Sequence, residues 1–179
     1  AGTNRMNIYM VRKATQGLAN YLNKQGGKKS VAISYDSRIK SDVFAREAAR
    51  VLAGNGVKAY LYKELMPVPA LSFATRHLHC DAGIMVTASH NPAVYNGIKV
   101  FMEGGRDADE TLTAAFEGYI RELEGEPVET VPYEEGLAAG SIQLIDPMND
   151  YIDSILKMVD AEAIRSRGLH VVLDPMYGV

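Results

Sequence analysis

At 179 residues, with 47% hydrophobic and 23% charged residues, the chain has the make-up of a globular domain rather than of a disordered tail. Its net charge of −3 comes with scattered lysines and arginines, which excludes the basic patch that nucleic-acid binding needs. No apolar run approaches the ~20 residues that span a bilayer, and one cysteine, Cys80, leaves no intrachain disulfide, so a reducing cytoplasm is the simplest setting.

The N-terminal stretch AGTNRMNIYMVRK lacks the parts of a signal peptide. Met10, Val11, Ala14, Leu18, Tyr21 and Leu22 recur at helical spacing and predict a helix over 8–25, with Asn7 as N-cap and Gly26-Gly27 as its stop. SVAISY (30–35) reads as a strand. Ser41 is a candidate cap for a second helix running to about 54, and VKAYLY (57–62) alternates like a strand. Pro67 and Pro69 predict an extended loop before a third helix at about 70–79. AGIMVTA (82–88) is a buried strand, followed by a loop to 97 and a short strand IKVFM (98–102). Asp107 and Glu110 resemble a capping box opening a helix to about 124. Residues 126–141 are polar and cannot be placed. A helix over 146–160 and a strand over 169–174 (LHVVLD) complete the reading.

Strands alternating with helices imply an α/β class, in three α/β/α layers around a mixed or mostly parallel sheet. The last strand should lead into another unit, so residues 1–149 are read as one domain and 150–179 as the first elements of a second, similar domain.

The chemistry concentrates in TASHNP (87–92). Ligands of α/β sheets bind beyond the carboxyl ends of strands, and Ser89 is predicted at such an end, on a loop stiffened by Pro92 and the turn signals Asn91-Pro92 and Asn96-Gly97. A rigidly placed hydroxyl suits a nucleophile. The flanking glycines of a hydrolase nucleophile elbow are missing. His90, the next residue, points away from Ser89 if the segment is extended, but it can contact a larger group carried on the serine, such as a phosphate. Lys99, on the returning strand, supplies a point charge or a proton-transfer group. Serine, histidine and lysine around one loop therefore favour phosphoryl over acyl transfer. Among the other polar residues, Asp36 and Arg38 read as an ion pair or as binders of loop backbone, and Asn91 as a turn-shaping residue. Arg5 suits either a bound phosphate or a carboxylate partner. His77 and His79 resemble a metal pair without a third ligand, and Cys80 reads as a small buried residue.

TASHNP followed by YNGIKVF resembles the phosphoserine loop of the α-D-phosphohexomutases, the phosphoglucomutase and phosphomannomutase superfamily. AISYDSR (32–38) is similar to its strand ending in Asp-x-Arg, and MPVPA (66–70) to its proline-bearing loop, with Val68 where threonine is common. GTNRMN (2–7) with VRKATQGLANYL (11–22) resembles the bacterial phosphoglucomutases closest to phosphopentomutases, and VVLDPMYGV (171–179) the opening strand of the second domain. The resemblance implies that Ser89 carries a phosphoryl group, gives it to a sugar monophosphate and recovers the other phosphate of the bisphosphate intermediate. His90 and Lys99 complete the catalytic set, Arg5 and Asn91 lie toward substrate phosphate, and Mg2+ binds an oxygen of phosphorylated Ser89. Hexose phosphates are the expected partners and glucose 1,6-bisphosphate the expected activator. The family's opening Gly-Thr-x-Gly-x-Arg-Gly motif, magnesium loop, sugar-reading loop and C-terminal phosphate loop are not in the sequence. The expectation is an N-terminal piece with little or no turnover of its own. Phosphomannomutase, phosphopentomutase and sugar-bisphosphate synthase activities remain alternatives to phosphoglucomutase, and rivals of other kinds are a non-catalytic sugar-phosphate-binding module and a serine hydrolase.

Overall fold

The computed structural model describes residues 3–123 and 125–176. Six strands form one mixed sheet. In chain order they are β1 (Ser30–Tyr35), β2 (Lys58–Tyr62), β3 (Ala82–Val86), β4 (Ile98–Met102), β5 (Arg106–Asp107) and β6 (Ile142–Ile145), in the order β5-β4-β3-β1-β2-β6. β1 pairs parallel with both β2 and β3, and β6 adds parallel to β2. β4 runs antiparallel to β3, and β5 antiparallel to β4. Helices cover both faces. α1 (Ile8–Lys24), α2 (Ser41–Gly54) and α4 (Glu110–Glu122) pack one side, through Leu18, Leu22, Phe44, Leu52 and Phe116 against Val31, Ile33 and Ile84. α3 (Val68–His77) and α6 (Met148–Leu156) cover the other, where Leu71 and Ala74 meet Tyr62, Met85 and Phe101. This is the three-layer α/β architecture expected from the alternating elements.

Local chemistry accounts for most boundaries. Asn7 caps α1, its side chain accepting from the Met10 amide at 3.0 Å, and Gly26 and Gly27 at φ +73° and +76° end it. Pro69 lies in the first turn of α3 rather than in an extended loop, where a missing N–H costs nothing, so the helix starts at Val68, two residues before the expected point. Asp107 does not open a helix: it pairs with Phe101 in β5, and the cap of α4 is Asp109, which accepts from the Leu112 amide at 2.9 Å. The unplaced stretch contains α5 (Tyr133–Ala138), which leads into β6. Residues 146–160 hold α6 and a break before α7 (Ala161–Ser166). α6 lies on the α3 layer, with Tyr151 5.5 Å from Phe73 and Asp150 3.6 Å from His77. Residues 169–174 form no strand. Val171, Val172 and Leu173 are 76%, 98% and 86% exposed; a β-prone segment without a neighbouring strand has no ladder to join.

Cys80 is buried, and burial pushes its thiol up to about 11, so it packs as a small apolar residue. Among the described residues no helix is long and apolar enough to cross a membrane, and no group of three metal-ligating side chains comes together, His77 and His79 included.

Gly83, in central strand β3, lies close against α3. A Cβ there would sit 2.6 Å from Thr75 Oγ1 and 3.2 Å from Phe101 Cβ, and Thr75 is itself fixed by donating to Leu71 O at 2.9 Å. Gly83→Ala is expected to destabilise by about 1–2 kcal/mol, the overpacking cost less the chain entropy regained. The midpoint of urea unfolding should fall with its slope unchanged.

Candidate active site

β1 and β3 are adjacent and parallel, with Tyr35 opposite Val86, so the residues that follow them emerge side by side at one rim of the sheet. Asp36 and Thr87 are those residues. The Asp36 amide donates to Val86 O at 3.2 Å, which continues the ladder one step past the strand ends. The Asp36 carboxylate then collects four donors. Oδ1 accepts from the Arg38 amide at 3.0 Å and Ser41 Oγ at 2.9 Å. Oδ2 accepts from Thr87 Oγ1 at 2.6 Å and Arg38 Nε at 3.2 Å. Ser41, expected as a helix cap, is spent on this hub. α2 starts at Ser41 with Lys40 before it at φ +65° and no side-chain cap. Ser41 Oγ also accepts from Asn96 Nδ2 at 2.8 Å, tying the far end of the loop to the hub. Asn96 Oδ1 accepts from the Gly97 amide at 2.8 Å, and Gly97 O from the Thr87 amide at 3.0 Å. A Cβ on Gly97 would meet Thr87 O at 3.0 Å, so the Asn-Gly pair closes the loop where backbones nearly touch.

Arg38 fills the inside of the loop. Besides Asp36, its guanidinium donates from Nη1 to Pro92 O at 2.9 Å and Tyr95 O at 3.0 Å, and from Nη2 to Ser89 O and Asn91 O, both at 2.7 Å. Both readings of Asp36 and Arg38, ion pair and loop binder, are therefore met by one cluster. Their side chains are only 12% and 11% exposed, so these charge-assisted bonds are shielded from water. Among the described residues no buried side-chain polar atom lacks a partner.

Ser89 sits on this frame, exposed at the rim. Its amide donates to Thr87 Oγ1 at 2.9 Å, and its φ is +56°, a left-handed conformation rare for serine. That bend corrects the expectation that His90 points away. Because the segment turns instead of extending, His90 Nδ1 comes to 3.4 Å from Ser89 Oγ, a contact longer than a good hydrogen bond. Asn91 shapes the same turn: its amide donates to Ala88 O at 3.1 Å, and its carbonyl is held by Arg38. Lys99 lies one residue inside β4, opposite Met85, half-buried, without an ion pair among the described residues. Arg5 is exposed ahead of α1 and makes no carboxylate pair among the described residues. Its neighbours Thr3, Met6 and Asn7 face Val94, Tyr95 and Asn96 across a groove of about 560 Å³. The structure thus joins Ser89, His90 and Asn91 in one turn. Lys99 stands one position in from the start of β4 and lines a groove of about 410 Å³ with Leu18, Val100 and Phe116, and Arg5 lies on a segment that flanks the loop. The hub roles of Thr87, Ser41 and Asn96 were not anticipated, Ser41 having been read as a helix cap and Asn96-Gly97 as a turn; the Asp-x-Arg at the end of β1 was the signal that a hub existed.

A family model for "Phosphoglucomutase/phosphomannomutase, alpha/beta/alpha domain I" matches residues 1–126. The chain belongs to the phosphoglucomutase/phosphomannomutase family. It is 36% identical over 183 aligned residues to a phosphoglucomutase of Staphylococcus aureus strain MRSA252, covering 99% of this chain and 32% of that protein. It is 35% identical over 164 residues to a probable phosphomannomutase of Haemophilus influenzae, covering 92% of this chain and 32% of that protein. A solved structure of a putative phosphomannomutase from Thermus thermophilus superposes with a TM-score of 0.77 at 27% identity, over 90% of this chain and 34% of that one. The chain thus spans about a third of these relatives. As a phosphohexomutase domain I, it places the rim loop after β3 at the mouth of a mixed six-stranded sheet.

Proposed function

We propose that Ser89 is the phosphoryl carrier of a hexose-phosphate mutase, and that this chain is the domain that presents it. Ser89 Oγ attacks the phosphorus of a sugar bisphosphate, the P–O bond to the sugar breaks, and the monophosphate leaves. In the reverse sense the phosphoserine gives its PO₃ group to the other hydroxyl end of the sugar. Phosphoryl transfer asks mainly for positioning and charge compensation. His90, beside Oγ, contacts the transferring phosphoryl oxygens. Lys99 supplies a cation or a proton at the rim, and Arg5 and Asn91 lie toward the substrate's phosphate. Hexose phosphates are the substrate class, with glucose 1,6-bisphosphate as activator. Phosphoglucomutase activity comes first; phosphomannomutase, phosphopentomutase or sugar-bisphosphate synthase activity is the alternative. Mg2+ would find one hard oxygen ligand here, on phosphorylated Ser89. The described residues supply no further set for it, since Asp36 is occupied by its four donors. We place the start of a second domain beyond α6 rather than at about 150, since Tyr151 packs on Phe73 of α3, and with about a third of the relatives' length present, this chain alone has little or no turnover.

The observation that supports this reading most directly is the exposed Ser89 hydroxyl on a left-handed, fully tethered turn. Incubating the full-length protein with glucose 1,6-bisphosphate carrying labelled phosphate should place label on Ser89, and Ser89→Ala should remove it. Sugar-phosphate binding without label would favour a non-catalytic binding module instead. Reaction of Ser89 with a fluorophosphonate probe would favour a serine hydrolase.

A further inference from the structure

We infer that Arg38, oriented by Asp36 and working with Thr87, is a positioning residue for phosphoryl transfer at Ser89 and not a phosphate ligand. The inference rests on the phosphoserine reading above. A guanidinium has five N–H donors in a fixed plane. Here all five are committed: Nε to Asp36, two to Ser89 O and Asn91 O, and two to Pro92 O and Tyr95 O. An arginine beside a phosphorylated loop invites the reading that it grips phosphate. This one has no donor left to do so.

What it does instead follows from what it holds. The Ser89 carbonyl is fastened to Arg38, and the Ser89 amide to Thr87 Oγ1. Thr87 can accept that amide because its own hydroxyl proton goes to Asp36 Oδ2 at 2.6 Å. With both peptide groups of Ser89 tethered, its Cα–Cβ bond has one direction, and χ1 is the freedom that remains. A strained φ of +56° persists because the surroundings over-determine it. The four carbonyls would otherwise turn negative dipole ends toward an incoming phosphoryl dianion; gathered on one cation, they are compensated before substrate arrives. Lysine cannot substitute, since an ammonium offers three donors from a point where four carbonyls and a carboxylate need a planar fork.

The test uses the full-length protein, with Arg38→Lys, Thr87→Val and Thr87→Ser compared to wild type. Arg38→Lys should lower kcat about 10²-fold, the usual cost of a misplaced reacting group, with KM for the hexose monophosphate within about threefold. Transfer of label from glucose 1,6-bisphosphate to Ser89 should slow by the same factor. Amide exchange in residues 88–97 should quicken at least about tenfold, while amides of β1 and β3 keep their protection. Thr87→Val should reproduce the kcat loss, and Thr87→Ser, which restores the hydroxyl, should recover most of it. A KM raised about 10²-fold at constant kcat would make Arg38 a substrate ligand and overturn the inference. So would unchanged kcat and labelling, or a loss that tracks only the unfolded fraction. Absence of label on wild-type Ser89 would overturn the phosphoserine reading and this inference with it, whereas equal labelling of wild type and Arg38→Lys would overturn this inference alone.

Discussion

Ser89→Gly should give a more stable protein with no phosphoryl-transfer activity. Serine at φ +56° carries the left-handed penalty of about 1–2 kcal/mol, and glycine escapes it at an entropic cost of about 0.5–1 kcal/mol. The hydroxyl contributes little in return, since its neighbour is His90 Nδ1 at 3.4 Å and the residue is exposed. Removing it leaves no buried group unpaired. A net gain of about 0.5–1 kcal/mol follows, or about 1–4 °C in thermal midpoint for a protein of this size. Hexose-phosphate turnover by the full-length protein should meanwhile fall at least about 10⁴-fold, as expected when a covalent carrier is lost. Ser89→Ala should lose as much activity without the stability gain, because alanine is as strained at this φ. Turnover surviving in either variant would remove Ser89 from the chemistry. Equal midpoints for the two would remove strain from the account of the loop.

That opposition explains why the loop needs so much scaffolding. Backbone strain at Ser89 is offset by Asp36, Arg38, Thr87 and Asn96. The motif TASHNP pointed to the rim loop because serine, histidine and proline are locally informative. The scaffold was less legible because its bonds are long-range: Arg38 reaches carbonyls 51 to 57 positions away. No period or spacing records such contacts; the sequence indicated only that an aspartate and an arginine follow a strand. His90 was misdirected for a related reason, since the two-residue alternation of a strand stops at the left-handed residue that precedes it.

The fold shows the same division. α2 was readable because its helical apolar spacing matches its burial, and β1 because a short apolar run is buried along its length. β6 was not, since its burial runs Ile142 in, Gln143 and Leu144 out, Ile145 in, which is no strand alternation. It is a strand because β2 offers an edge, a fact of topology. The segment 169–174 is the converse case, with a strand's composition and no edge to pair with among the described residues.

Glu47→Ala should be the most destabilising single change outside the apolar core, and it should leave the loop's chemistry intact. Glu47 lies in α2, 7% exposed, between two arginines. Arg12 of α1 donates to Oε1 at 2.5 Å. Arg50, one turn on, donates from Nη1 to Oε1 and Oε2 at 3.1 and 2.9 Å, and from Nε to Val131 O at 2.8 Å. One carboxylate thus joins α1, α2 and the segment leading to α5. Its loss leaves two cations without a counter-charge, an effect of about 3–5 kcal/mol when such a pair is fully buried. Both arginine side chains are about a quarter exposed and can turn to water, so about 2–3 kcal/mol is expected here, with a midpoint lower by about 4–12 °C. Glu47→Gln keeps one acceptor and should cost about half as much. The loop cluster shares no partner with Glu47. Combining Glu47→Ala with Arg38→Lys should therefore add stability losses to within about 0.5 kcal/mol, and kcat per folded molecule should match that of Arg38→Lys alone. Strong coupling between the two would mean that the helix layer and the phosphoryl loop form one cooperative unit, and that Arg38's influence on kcat acts through global stability rather than through the direction of a single Cα–Cβ bond.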